Sequence, residues 1–160
     1  MSFLHPDYIH PSESADLPYS LDHLDALMDA AGIDVLLATS KHCVRYLLGG
    51  YQFVFFSRMD AIGHRSYLPV LVYVKGQPDR SAFIGNKMEG GEGANHPFWV
   101  TRFEPATWNT TEPITLAAEH LKQLGGSTAR IGIEPSFMPV DAYQALQAAF
   151  PEAELHNATG

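Results

Sequence analysis

The residues with the clearest capacity for chemistry lie in the run Phe55-Phe56-Ser57-Arg58-Met59-Asp60. Aromatic side chains at the end of an apolar stretch, followed by an arginine, can grip a small planar or carboxylate-bearing molecule. The guanidinium offers bidentate hydrogen bonds to a carboxylate, and an aromatic face holds an apolar or cationic part. A surface ion pair between Arg58 and Asp60 is the alternative. Residue types alone leave both readings open.

Other chemistry-bearing residues are dispersed. The 8 histidines are His5, His10, His23, His42, His64, His96, His120 and His156. No two share an i, i+4 or His-x-His spacing, whereas structural zinc sites use close ligand pairs. They read as scattered imidazoles, and no metal site is expected. Gly90, Gly91 and Gly93 cluster, but Glu89 and Glu92 interleave them and would repel a phosphate. No Gly-x-Gly-x-x-Gly follows the first strand, and no Gly-x-Ser-x-Gly elbow occurs. Asp22, Asp25 and Asp29 fall on one helical stripe and read as a solvated face. The single Cys43 excludes an intrachain disulfide and, in an apolar helical setting, reads as a small buried side chain. No catalytic residue is assigned.

The elements that position these residues begin with a βα unit over residues 20–50. Leu21, Leu24, Leu27, Met28 and Ala31 share one helical face, with Ser20 as N-cap and Gly32 as a left-handed stop. The run Ile33-Asp34-Val35-Leu36-Leu37-Ala38 has the length of a core strand, and its continuous apolar character suggests burial on both faces. Thr39 and Ser40 can cap a second helix that stops at Gly49-Gly50. Residues 51–56, 67–74, 81–84, 98–103, 130–134 and 153–156 read as strands, and 85–97 as a glycine-rich loop. Thr111 begins a helix striped by Ile114, Ala117, Leu121 and Leu124. Pro139 opens a last helix that turns Tyr143, Leu146 and Phe150 inward. The expected fold is α/β, a mixed sheet of about six strands with helices on both faces.

Composition narrows the class of partner. A chain of 160 residues makes one domain, with 1–19 read as an extended arm and 20–160 as the folded unit. Asp and Glu number 18 against 10 Lys and Arg, a net charge of -8, which argues against a nucleic-acid backbone as partner. No apolar run approaches the roughly 20 residues needed to span a bilayer, so no membrane partner is expected. Residues 1–19 lack a basic segment followed by an apolar one, and with one cysteine a cytoplasmic location is expected.

The run Leu24-Asp25-Ala26-Leu27-Met28-Asp29-Ala30-Ala31-Gly32-Ile33-Asp34-Val35-Leu36-Leu37-Ala38-Thr39-Ser40, followed by Val44-Arg45-Tyr46-Leu47-Leu48-Gly49-Gly50, resembles the N-terminal domain of the creatinase / Xaa-Pro aminopeptidase / prolidase family. Gly125 before Arg130-Ile131-Gly132-Ile133-Glu134, a helix, and an end in Asn157-Ala158-Thr159 continue the likeness over about residues 20–159.

That resemblance implies a ribonuclease-H-like sheet. It also implies that catalysis belongs to a following pita-bread domain, which supplies two Asp, one His and two Glu for a pair of metal ions (Mn, Co or Zn), or a catalytic His in metal-free creatinase. No counterpart of those ligand motifs occurs here, so the chain is expected to be inactive alone and its parent a hydrolase. The implied partners are that C-terminal catalytic domain, a second subunit in a homodimer, and a small peptide or small amidino-acid substrate. Phe56-Ser57-Arg58 matches the Phe-x-Arg with which creatinase contacts substrate in the neighbouring subunit. Phe56 and Arg58 are therefore the expected substrate-binding residues. A stand-alone α/β binding or interaction module is the alternative to this reading.

Overall fold

The computed structural model describes residues 19–54, 67–125 and 130–159. Six strands form one sheet: β1 (Val35–Ala38), β2 (Val70–Val74), β3 (Ala82–Asn86), β4 (Arg102–Thr107), β5 (Arg130–Ile133) and β6 (Glu154–Asn157). Their order is β4-β3-β2-β1-β5-β6. The pairs β3–β4, β1–β5 and β5–β6 are parallel, while β2 is antiparallel to both β1 and β3. Strand β2 therefore runs alone against the other five, the mixed ribonuclease-H-like arrangement.

Helices cover both faces. Among the described residues they are α1 (Leu21–Ala31), α2 (Lys41–Leu47), α3 (Glu92–Asn95), α4 (Thr111–Gln123) and α5 (Val140–Ala149). Strand residues alternate between the two layers because successive side chains point to opposite faces. Val70 and Val72 join Ile114, Leu121 and Leu146 beneath α4 and α5. Leu71 and Tyr73 instead join Met28, Val44 and Leu47 beneath α1 and α2. Burial on both sides explains why β2 is apolar at every position.

Local signals set the first helix. The Ser20 hydroxyl accepts the His23 backbone N–H at 3.3 Å. At the other end Gly32 takes φ 68°, and the Ile33 N–H returns to the Met28 carbonyl at 2.9 Å, a Schellman closure. The aspartate stripe on α1 is not merely solvated. Asp25 accepts the Tyr73 hydroxyl at 2.8 Å and the Gly76 N–H at 3.1 Å, and Asp29 meets Lys75 at 2.7 Å. These bonds fasten α1 to the turn between β2 and β3.

The edge pair Asp34–Arg130 bridges the start of β1 to β5, with Arg130 donating to both carboxylate oxygens at 2.9 and 2.8 Å. Those bonds hold the Asp34 carboxyl down at about 2. Its stabilising share is therefore present above the ordinary value of 3.8 and is lost as pH falls toward 2. Both side chains are 40% or more exposed, so solvent screening keeps the contribution of the pair small. Arg130→Ala should lower urea-unfolding stability by that small amount at pH 6, and by less at pH 3.

Four expectations need correction. Residues 51–53 form no strand and Val54 is helical, because the buried Tyr51 ring is drawn edge-on to Phe83 and Phe98 instead of into a ladder. Residues 98–101 likewise precede β4, which starts at Arg102. The Trp99 indole N–H is spent on the Leu47 carbonyl, at 2.6 Å. Cys43 is exposed, since α2 turns Val44 and Leu47 to the core and leaves the neighbouring position outward. The expected loop 85–97 also holds more structure, with β3 continuing to Asn86 and short helical turns after it. Of the expected arm only Tyr19 is described, and it packs edge-on against Trp99 at 5.7 Å.

Candidate functional site

Phe56 and Arg58 fall in 55–66, outside the described residues. The flanks of that segment are described, and both close on one buried carboxylate. Glu89 is fully buried at the end of a 3-10 turn, Lys87–Glu89, that follows β3. Tyr51 donates its hydroxyl to Glu89 Oε1 at 2.7 Å, and the Tyr67 hydroxyl lies 3.1 Å from both carboxylate oxygens. The Asn86 N–H donates to Oε2 at 2.6 Å, while the Asn86 side chain accepts the Met88 N–H at 3.0 Å. This reciprocal capping box locks Glu89 to the end of β3. A Cβ at Gly85 would stand 2.6 Å from Glu89 Oε2, so any larger residue there would have to displace the carboxylate.

The surroundings are aromatic. The Tyr51 ring meets Phe98 at 4.9 Å and His96 at 5.5 Å, both edge-on. Desolvation in this cluster pushes the Glu89 carboxyl up to about 7, against the opposing pull of Tyr51, Asn86 and Tyr67. Burial likewise drives the Tyr51 and Tyr67 phenols upward, with the Glu89 charge adding to it. Glu89 is thus an anchor without solvent access that ties Tyr51 to Tyr67, the described residues on either side of 55–66 in sequence.

A pH dependence follows. The folded state takes up the Glu89 proton more readily than the unfolded chain, whose value is near 4.5. Stability should therefore fall as pH rises from about 4.5 to about 7, by up to about 3 kcal/mol. Glu89→Gln should flatten that part of the profile in urea titrations between pH 5 and 8. Parallel profiles for the two proteins would remove Glu89 as the cause.

A second buried carboxylate lies between β1 and β5. Glu134 is 3% exposed and accepts the backbone N–H groups of Thr39 and Ser40, each at 2.7 Å. Ser40 in turn caps α2 by accepting the Cys43 N–H at 3.1 Å. The helices that follow β1 and β5 lie on opposite faces, so this seam is the switch point where open α/β sheets receive ligands. Here the chain's own carboxylate occupies it. Desolvation, then a hydrogen bond to Glu134, pushes the Cys43 thiol above its ordinary range, which disfavours a nucleophilic thiolate.

The described residues do not fit a metal pair. No three His, Cys, Asp or Glu side chains among them converge on a common point. Both oxygens of Glu89 and Oε2 of Glu134 are engaged by O–H and N–H donors. His120 sits beside the Arg80 carbonyl at 2.8 Å, and burial lowers its pKa.

Sequence reading missed Glu89, Tyr51, Tyr67 and Glu134. The Asn86-x-x-Glu89 spacing carried a capping-box signal for one of them. The others left no local mark.

The family model described as Creatinase/Prolidase N-terminal domain matches residues 21–160. This chain belongs to that family. No curated protein matches it. Among solved structures, the N-terminal domain of the cytoplasmic peptidase PepQ from Mycobacterium tuberculosis H37Rv superposes with a TM-score of 0.63 at 20% identity, covering 88% of this chain and 92% of that one. The N-terminal, creatinase/prolidase-like domain of a metallopeptidase from Corynebacterium diphtheriae gives 0.60 at 19% identity, covering 88% and 94%. An Xaa-Pro dipeptidase from Bacillus anthracis gives 0.62 at 21% identity. That match covers 88% of this chain but 33% of the dipeptidase, so this creatinase/prolidase N-terminal domain spans about a third of that relative's length. These likenesses show a shared fold. Among the described residues no helix is long and apolar enough to cross a membrane.

Proposed function

We propose that this creatinase/prolidase N-terminal domain is the non-catalytic part of a cytoplasmic hydrolase acting on C–N bonds of Xaa-Pro peptides or a creatine-like amidino acid. The carrying observation is the family match over residues 21–160, which is of domain length. The Bacillus anthracis relative, named an Xaa-Pro dipeptidase, is three times as long as the part matched here and supports the peptide reading. Hydrolysis, with any dinuclear Mn, Co or Zn, belongs to a C-terminal partner domain. This domain, residues 20–160 behind an arm of 1–19, contributes to a homodimer and shapes access to the active site. Phe56 and Arg58 contact substrate across that dimer, the aromatic ring against its apolar part and the guanidinium against its carboxylate. Support for their placement comes from Tyr51 and Tyr67, which Glu89 holds together on either side of the segment.

Reading the gene past the codon for Gly160 tests the proposal. Roughly another 200 residues, at the upper end of common domain sizes, are expected, with two Asp, one His and two Glu in ligand motifs or a catalytic His. A stop codon at that point would favour a stand-alone interaction module.

A further inference from the structure

Helix α4 carries one imidazole on its buried face. His120 is 7% exposed and shares that face with Ala117, Ala118 and Leu121. Its two ring nitrogens reach two other elements. Nε2 lies 2.8 Å from the Arg80 carbonyl, in the 3-10 turn Pro78–Arg80 that precedes β3. Nδ1 lies 3.4 Å from Nη1 of Arg102, the first residue of β4. These partners fix the tautomer. A carbonyl oxygen only accepts, so Nε2 carries the hydrogen; a guanidinium only donates, so Nδ1 presents its lone pair. His120 is therefore a neutral imidazole with both nitrogens engaged.

The charges around the ring are few. Arg102 donates from Nε to Glu104 Oε2 at 2.8 Å, and its Nη2 meets the same oxygen. Glu104 stands two residues along β4, on the same face of the strand, so the guanidinium is braced by its own element. One turn away along α4, Leu116, Ala117, Gln123 and Leu124 carry no charge. Strands β2 and β3 contribute none either. Asp141, the one charged residue of α5, is bonded to Thr110 at the opposite end of α4. In the 3-10 turn Asp79 and Arg80 are exposed, and it is the Arg80 carbonyl that reaches the ring. Burial disfavours the imidazolium most; the Arg80 carbonyl and Glu104 favour it, and the Arg102 charge opposes it.

We propose that His120 is an acid-sensitive latch on the sheet edge. As a neutral Nε2–H imidazole it fastens α4 to the turn before β3 and to β4, and a proton added at Nδ1 opens the β4 side. An N–H at Nδ1 faces the guanidinium N–H, so the ring and Arg102 must part. Strand β4 is at the edge of the sheet and is bonded on one side, to β3, so its start has fewer bonds to lose than an interior strand. At its far end the Thr107 hydroxyl donates to the Gly85 carbonyl at 2.8 Å, a tie without a titrating group. The opening is therefore local to residues 102–104. Its sign follows from linkage. The unfolded chain takes up the proton near 6.5 and the folded protein only at lower pH. The latch's share of stability is thus complete above about 6.5 and is lost as pH falls below it. Glu89 acts in the opposite sense, since its proton favours the folded state.

Ring nitrogen-15 shifts and hydrogen exchange on the 160-residue chain test this. At neutral pH His120 should show a protonated Nε2 and a bare Nδ1, and a proton on Nδ1 would overturn the proposal. As pH falls from about 7 to about 5, the interval in which ordinary histidines charge, the amides of 102–104 should lose protection. The loss should be at least about tenfold greater in the unaltered chain than in His120→Gln. Glutamine offers a donor and an acceptor but takes up no proton. Both proteins keep Glu89, so comparing them at each pH cancels its titration and the intrinsic change in exchange. Equal losses in the two proteins would overturn the latch, as would a loss spread evenly over β1 and β2. Arg102→Met gives a readout that does not depend on the glutamine variant folding. Without the opposing guanidinium the His120 ring should take up its proton at higher pH, and a titration that stays in place would overturn the proposal.

Discussion

Arg58→Ala in the full-length parent is expected to lower kcat/KM by roughly 30-fold to several thousand-fold while leaving the fold intact. Truncating one partner of a desolvated, hydrogen-bonded charge pair costs about 2–5 kcal/mol, much of it the penalty of leaving the substrate carboxylate unpaired. A surface pair with Asp60 would be worth at most about 1 kcal/mol and would leave activity almost unchanged. The two readings of Arg58 therefore differ by orders of magnitude in a steady-state assay. Mixed dimers then locate the arginine. Pairing an Arg58→Ala subunit with one disabled in its catalytic domain should restore about half the activity of a symmetric dimer if the arginine serves the neighbouring site. Loss of activity without that rescue would place Arg58 in its own subunit's site. Neither loss nor rescue would return it to the surface.

Glu134→Ala should be the most damaging single change to the fold among those argued here. It removes the acceptor for two buried backbone donors, Thr39 N–H and Ser40 N–H, both at 2.7 Å. Each orphaned donor costs about 1–3 kcal/mol, and the vacated carboxylate volume adds to that. A total of about 3–5 kcal/mol corresponds to a fall in Tm of roughly 10 °C for a domain of this size. Glu134→Gln keeps one acceptor oxygen and should lose less. Calorimetry on the 160-residue chain checks both. A loss below about 1 kcal/mol for the alanine variant would mean that water satisfies those amides and that the seam between β1 and β5 is wet.

The parts of the fold legible in the sequence were those specified by neighbours in the chain. Ser20 and Gly32 bound α1 where their chemistry placed them, and the Val70-Leu71-Val72-Tyr73-Val74 run became the central antiparallel strand. The aromatic-rich runs 51–56 and 98–103 misled because β-propensity records how well a side chain fits a half-buried surface. Tyr51 and Trp99 satisfy that preference off the sheet, against Glu89 and against the Leu47 carbonyl. The two buried carboxylates were illegible for a related reason. Glu89 meets tyrosines 38 and 22 residues away, and Glu134 meets amides 95 and 94 residues away, so no local pattern marks either. Phe56 and Arg58 were legible only as residue types. They lie outside the described residues, and the tyrosines that flank that segment in sequence, Tyr51 and Tyr67, meet Glu89 without either carrying a motif.

The central claim, a non-catalytic domain of a C–N hydrolase, is tested most directly by turnover. The 160-residue chain and the full-length parent would be assayed side by side on Xaa-Pro dipeptides and on creatine, with and without Mn²⁺ or Co²⁺. Hydrolysis by the parent of one of these substrates, and none by the 160-residue chain at equal concentration, is the predicted result. Turnover by the 160-residue chain alone would contradict it.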